Sequence, residues 1–245
     1  MRILRDLTYG EHSCRRLDLY LPDGEQFPLL LFFHGGGIEG GRKEDLEAVG
    51  RQLAAAGIGL ASAKYRLYPD AKYPEFIEDA AAAVAWTKAH LNEYGGDKLY
   101  VGGSSAGGYL SMMLCFDERW LAPYGMTTTD VDGWVHDAGQ PTVHFNVLRE
   151  RGVDSRRLIV DEAAPLYHIG KAERYSPMLF LVSDNDMENR YEQTMLVLST
   201  LRHFRYDMTQ VTLKEMHGVH CQYISIPNED GTVPFAYLVI DWLNA

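Results

Sequence analysis

The sequence predicts an α/β protein with a mostly parallel sheet and helices on both of its faces, and three observations carry that expectation. Strand-like and helix-like periods alternate along all 245 residues, the order that parallel sheets with crossover helices require. The inner strand candidates are short apolar runs without polar alternation, the pattern of strands covered on both sides. No repeat, low-complexity tract or linker divides the chain, so a single domain over 1–245 is expected. With 46% hydrophobic and 23% charged residues there is material for a packed core, and a chain of this size needs neither disulfides nor a structural metal to be stable.

The elements follow in order. Leu17 to Leu21 alternates apolar and polar residues as a half-buried strand does, and Pro22-Asp23-Gly24 turns the chain. Pro28 to Phe33 (PLLLFF) is a fully apolar strand. Glu44 to Ala56 carries Leu46, Val49, Gln52 and Leu53 at helical spacing and stops at Gly57. Ile58 to Tyr65 is the next strand, and the alanine-rich helix from Phe76 to Tyr94 ends at Gly95-Gly96. Leu99 to Val101, Trp134 to His136, Met178 to Val182 and Val211 to Met216 are further strands. Helices are expected over Ser105 to Phe116, Arg190 to Phe204 and Val233 to Leu243. Ligands of such sheets bind at the carboxyl ends of the strands, which directs attention to the loops after Phe33, Val101, Val182 and Met216.

Charge and cysteine usage exclude several functions. Lys and Arg total 23 against 34 Asp and Glu, a net charge of −11, and the basic residues are scattered, so no nucleic-acid partner is expected. Cys14, Cys115 and Cys221 are odd in number and widely spaced, without a CxxC pair; they read as free thiols of a reducing compartment. The charged start and the lack of any long apolar stretch predict a cytoplasmic chain with no membrane span. No H-E-x-x-H or H-x-H pair points to a metal, and neither metal nor cofactor is expected. Oligomeric state stays open, a homo-oligomer included.

Each of the four loops has its own chemistry. After Val101 the chain reads GGSSAGG, which holds G-x-S-x-G with Ser105 at its centre and Gly103 and Gly107 two residues to either side. A serine lifted above a sheet on a tight strand-to-helix turn needs such glycines, because side chains there would collide. Ser104 lacks those flanks, and the rival phosphate-loop reading lacks the Gly-Lys-Ser/Thr ending. After Phe33 comes His34-Gly35-Gly36-Gly37, whose backbone N–H groups, those of Gly36 and Gly37 with that of Ala106, are candidates for an oxyanion hole. After Val182 lie Asp184 and Asp186; Asp186 is the candidate to orient a histidine, Asp184 its rival, and either suits a helix N-cap. After Met216 lie His217 and His220; His220, past the glycine turn, is the candidate general base, with His217 nearer the strand end.

The order Ser105, Asp186, His220, together with the HGGG loop, resembles the α/β-hydrolase superfamily, in particular its hormone-sensitive-lipase-like and acetylesterase or feruloyl-esterase-like serine esterases. Tyr65-Arg66-Leu67 followed by Pro69 is similar to the family's Y-R-L-x-P segment, with Pro74-Glu75 and Asp79-Ala80 ahead of the long helix. The resemblance covers about His34 to His220. It implies hydrolysis of short-chain or carbohydrate-linked (acetyl or feruloyl) esters through an acyl-enzyme, without metal or cofactor. Ser105 would be the nucleophile, His220 the proton shuttle, Asp186 its orienter, and Gly36, Gly37 and Ala106 the oxyanion donors. An amide-cleaving hydrolase, a peptidase or arylformamidase, is the alternative on the same triad, and a non-catalytic binding protein the third reading. Two departures follow: with only 33 residues before His34 no N-terminal cap domain is expected, and the only room for a short lid is about 139–176. In that insertion His144, Phe145 and Tyr167 are candidate walls of an acyl or alcohol pocket.

Overall fold

The computed structural model describes residues 1–245. Eight strands form one sheet: β1 (Arg2–Thr8), β2 (Arg16–Leu21), β3 (Phe27–Phe33), β4 (Gly59–Ala63), β5 (Gly96–Ser104), β6 (Gly133–Asp137), β7 (Met178–Asn185) and β8 (Val211–Val219). Their spatial order is β1-β2-β4-β3-β5-β6-β7-β8. β2 is antiparallel to both β1 and β4, and every other pairing is parallel. The helices are α1 (Glu47–Ala55), α2 (Glu75–His90), α3 (Ala106–Phe116), α4 (Phe145–Glu150), α5 (Pro165–His168), α6 (Arg190–His203), α7 (Gln222–Ser225) and α8 (Pro234–Leu243).

The apolar run of β3 explains the layering. Its side chains alternate across the sheet, so Leu29, Leu31 and Phe33 enter one core with residues of α2, α3 and α6, while Leu30 and Phe32 enter a second core with α1 and α8. Neither face of this strand meets water, and polar alternation would have no use. α3 takes the same logic further: all of its residues are buried, which is why it lacks an amphipathic stripe.

The insertion at 139–176 does not stand over the sheet as a flap. Val143, Val147, Leu148, Ala163, Ala164 and Ile169 join the larger core, and Tyr109 of α3 donates its hydroxyl to the Ala163 carbonyl at 2.8 Å. The insertion is thus seated on α3 and forms a fixed wall beside the carboxyl ends of the strands. Asp79, fully buried on α2, receives the Arg66 guanidinium through Nε and Nη2, both at 2.8 Å, and Arg15 Nε at 2.8 Å. The Tyr65-Arg66-Leu67 segment is held to α2 by that pair.

Candidate active site

β5 ends at Ser104 and α3 begins at Ala106, so Ser105 alone makes the turn, with φ 55° and ψ −110°. This is a strained conformation for a residue with a side chain. A Cβ on Gly103 would lie 2.3 Å from the backbone of Gly107, and one on Gly107 would lie 2.0 Å from the Phe33 carbonyl oxygen. Both flanking glycines are therefore dictated by sterics. The Ser105 N–H donates to the Asp137 carbonyl at 2.8 Å, which ties the turn to β6.

The two carboxylates and two histidines left open by the sequence sort into separate pairs. Ser105 Oγ lies 2.8 Å from His220 Nε2, and His220 Nδ1 lies 2.5 Å from Asp186 Oδ1. A carboxylate only accepts, so Nδ1 carries the proton and Nε2 presents its lone pair to the serine hydroxyl. Burial pushes the Asp186 carboxyl up, but His220 and the backbone N–H groups of Met187 and Ser183 overcome this and hold it below the usual carboxylate range. Asp184 instead takes the Nδ1 proton of His217 and the N–H of Gly218, on the exposed side. The cause is a register shift: Ser183 pairs with Met216 but Asn185 with Val219, so His217 and Gly218 bulge out of β8.

The glycine loop after β3 is fixed from several sides. His34 stacks on Tyr65 with ring centres 4.5 Å apart, and Tyr65 donates its hydroxyl to the His34 carbonyl at 2.9 Å. From α4, Asn146 Nδ2 donates to the Gly37 carbonyl at 3.1 Å. Gly36 has φ 109°, and a Cβ there would meet the Gly40 carbonyl oxygen at 2.3 Å. The N–H groups of Gly36 and Gly37 donate to no other group of the chain, and Ala106, first in its helix, has no intrahelical acceptor. These are the free donors an oxyanion site requires.

A cavity of about 560 Å³ opens beside Ser105 and His220. Its apolar walls are Leu46 and Val49 on the α1 side and Ile224, Pro227 and Val233 beyond the histidine. The segment after His220, which the sequence does not mark as a wall, thus supplies one, while the insertion supplies none of this lining. His144 is buried, accepts the Asn146 N–H on Nδ1 and packs between Tyr109 and Phe145. Tyr167 is half exposed on α5 under Lys171 and faces neither this cavity nor its neighbour. Seating the insertion on α3 buries His144 and turns Tyr167 outward. Phe145 lies against Gly37, where a Cβ would be 3.0 Å from its ring, and lines a second cavity of about 360 Å³ on that side.

Beneath His220 is a buried polar group the sequence reading passed over. Asp137, at the end of β6, accepts a short hydrogen bond from Tyr223 of α7. Burial pushes its carboxyl up to about 6, against the pull of Tyr223. Ser104 Oγ donates to Cys221 Sγ at 3.2 Å in the same cluster. An acidic residue directly after the Trp134 to His136 strand was the available signal; for Asn146 there was none. No group of three or more His, Cys, Asp or Glu side chains is arranged to hold a metal ion, and no helix is long and apolar enough to cross a membrane.

The chain is similar to several known proteins. The BD-FAE family model matches residues 17–122. Esterase LipC of Mycobacterium tuberculosis is 35% identical over 240 residues, 87% of this chain and 58% of that protein. A probable isoprenylcysteine alpha-carbonyl methylesterase of Arabidopsis thaliana is 33% identical over 122 residues, 48% of this chain and 29% of that protein. The chain therefore spans less than two thirds of either relative. Among solved structures, a truncated carbohydrate esterase from gut microbiota superposes with a TM-score of 0.77 at 17% identity, covering 100% of this chain and 95% of that one. The hyperthermophilic esterase of Pyrobaculum calidifontis gives 0.77 at 20% identity, covering 99% and 86%.

Proposed function

We propose that the chain, which is similar to the BD-FAE family model and to esterase LipC and shares the fold of solved esterases, is a serine carboxylesterase of the α/β-hydrolase superfamily, in its hormone-sensitive-lipase-like and feruloyl-esterase-like part, acting on short-chain or carbohydrate-linked esters. The observation that carries this reading is the continuous chain from Ser105 Oγ through His220 to Asp186, at 2.8 and 2.5 Å, beside the glycine loop with unused N–H groups.

The geometry performs the reaction in two halves. Ser105 Oγ attacks the ester carbonyl while its proton passes to His220 Nε2, and Asp186 stabilises the imidazolium that results. The N–H groups of Gly36, Gly37 and Ala106 receive the developing oxyanion. When the tetrahedral adduct collapses, the alcohol leaves with the proton from His220, and the acyl group stays on Ser105. Water then repeats the sequence, giving up its proton to His220, and releases the acid. One apolar arm of the ester fits the cavity walled by Leu46, Val49, Ile224 and Val233. The free state of Cys14, Cys115 and Cys221 fits a reducing, cytoplasmic setting.

The test is a hydrolysis panel of p-nitrophenyl acetate, butyrate and octanoate with a feruloyl ester and acetylated xylan. Ser105→Ala is expected to lower kcat/KM by at least about a thousandfold with the fold intact, and a fluorophosphonate should label Ser105 one to one. Undiminished hydrolysis by Ser105→Ala would overturn the reading.

A further inference from the structure

The second cavity, of about 360 Å³, shares no lining residue with the apolar one and lies between Phe145 and the chain that follows Asp186. Phe145, in contact with Gly37 of the glycine loop, forms one wall. The opposite wall is the chain directly after Asp186, running into α6 at Arg190 and Gln193. Arg190 is only 5% exposed, yet forms no ion pair with any carboxylate of the chain. Of its five N–H donors one is used, from Nη1 to the Ala138 carbonyl at 2.9 Å, and Nε is buried without a partner. Gln193, 6% exposed, accepts from Thr142 on Oε1 while its amide nitrogen donates to nothing. A buried donor without an acceptor, as at Arg190 Nε, is costly, and a buried guanidinium without a contact ion pair more so.

We infer that this cavity is a subsite for a carboxylate carried by the substrate, with Arg190 as its cation and Gln193 as an additional donor. Arg190 Nε is fully enclosed, so the ligand would meet the guanidinium at Nη2, which like Gln193 Nε2 has no partner in the chain and is not fully enclosed, in a charge-assisted hydrogen bond. Charge around the cavity sets the class further. Arg149 and Arg156 stand at the rim, but Arg149 is paired with Glu39 and Arg156 with Asp154, and Glu188 also lines the cavity. Asp186 acts on Arg190 through space but is hydrogen-bonded to His220, so with one cation lacking a contact ion pair inside a chain of net charge −11, a single negative charge is accommodated and a polyanion is repelled. As a substrate subsite this rests on the esterase reading; as a binding site it does not.

Two ester pairs differing by one carboxylate test it: 4-acetoxybenzoate against its methyl ester for the alcohol side, and p-nitrophenyl hemisuccinate against p-nitrophenyl butyrate for the acyl side. The wild-type protein is expected to favour the carboxylated member of one pair at least about tenfold in KM, in the range of a charge-assisted hydrogen-bonded contact. Arg190→Met should abolish that preference and Arg190→Lys keep part of it. Arg156→Glu, at an exposed rim position, should weaken it with no risk to the core. In parallel, calorimetric titration of Ser105→Ala with benzoate and benzamide should show binding of benzoate alone, lost with Arg190→Met. Equal KM values within both pairs, or the same loss on charged and neutral esters in Arg190→Met, overturn the inference and leave Arg190 as a support for Ala138. Benzoate binding to a protein that hydrolyses no ester would keep the subsite and remove the esterase reading.

Discussion

His220 and His217 differ by three positions in sequence and by everything that matters in chemistry. The first points Nε2 at Ser105 and Nδ1 at a carboxylate with a 1% exposed side chain; the second is fully exposed. Because Asp186 fixes the Nδ1–H tautomer, Asp186→Asn should leave the fold in place but present the wrong hydrogen-bonding partner. The expected loss in kcat is about 10⁴-fold, the size seen for the equivalent change in a serine protease triad, whereas Asp184→Asn should cost less than twofold. Steady-state kinetics of the two variants on p-nitrophenyl acetate decide it; equal losses would mean that the exposed pair takes part. The serine, its glycines and the HGGG loop were legible in the sequence because each is imposed by local sterics at a strand end. Choosing between Asp184 and Asp186 was harder, since a bulge in β8 decides which histidine faces inward. Arg190 was illegible: a buried cation without a contact ion pair is defined by what does not touch it, and sequence spacing carries no trace of that.

Among the elements, the inner strands and long helices were readable from periodicity and the edges were not. β1 is an edge strand, mostly exposed or half-buried, with an irregularity between Leu4 and Leu7 opposite β2, so charges fall at positions where an inner strand would be apolar. α4 and α5, of 6 and 4 residues, are too short to show a helical period. They form because the insertion packs on α3. One contact between elements carries a measurable load. Asp79 on α2 holds Arg66 after β4 and Arg15 before β2, so a single carboxylate joins a helix to two segments of the sheet edge. Asp79→Ala leaves Arg15, with 22% side-chain exposure, facing a hole without a carboxylate, and leaves Arg66, with 16%, only the more exposed Glu75 at 2.7 Å and Glu78 at 3.9 Å. Destabilisation of about 3–5 kcal/mol is expected, the range for breaking a buried ion pair from one side. Urea unfolding of wild type, Asp79→Ala and Asp79→Asn reads it directly, with the isosteric amide losing less. A shift under about 1 kcal/mol for Asp79→Ala would show the pair to be no stronger than a surface salt bridge.

At the scale of the whole molecule, one sheet shared by two cores should unfold in one cooperative step, and its pH dependence follows from which buried groups refuse or retain protons. Burial holds the imidazoles of His34, His136 and His144 below their ordinary value, His136 down to about 3. Below about pH 6.5 the unfolded chain takes up protons at these sites more readily than the folded chain, so stability falls as pH falls. For fully buried His136 this amounts to about 2 kcal/mol between pH 6.5 and 5. Asp18, Asp79 and Asp186 act with the same sign in a lower window. Burial opposes their charge, but their cationic and N–H partners hold each of them below the usual value. Their contribution is complete above about pH 4 and is lost as pH drops through the lowered values. Asp137 alone acts in the opposite sense, because its carboxyl is raised to about 6. Between there and about pH 4 the folded chain takes up a proton that the unfolded chain does not, which adds stability as pH falls. The three histidines outweigh it. Scanning calorimetry should therefore show a single transition whose Tm drops from pH 7 to pH 5. His136→Phe should make that drop shallower, and Asp137→Asn should make it steeper by removing the one group that compensates. A slope unchanged by His136→Phe, or made shallower by Asp137→Asn, would show that acid lability is set by the exposed charges of this −11 chain and not by its buried groups.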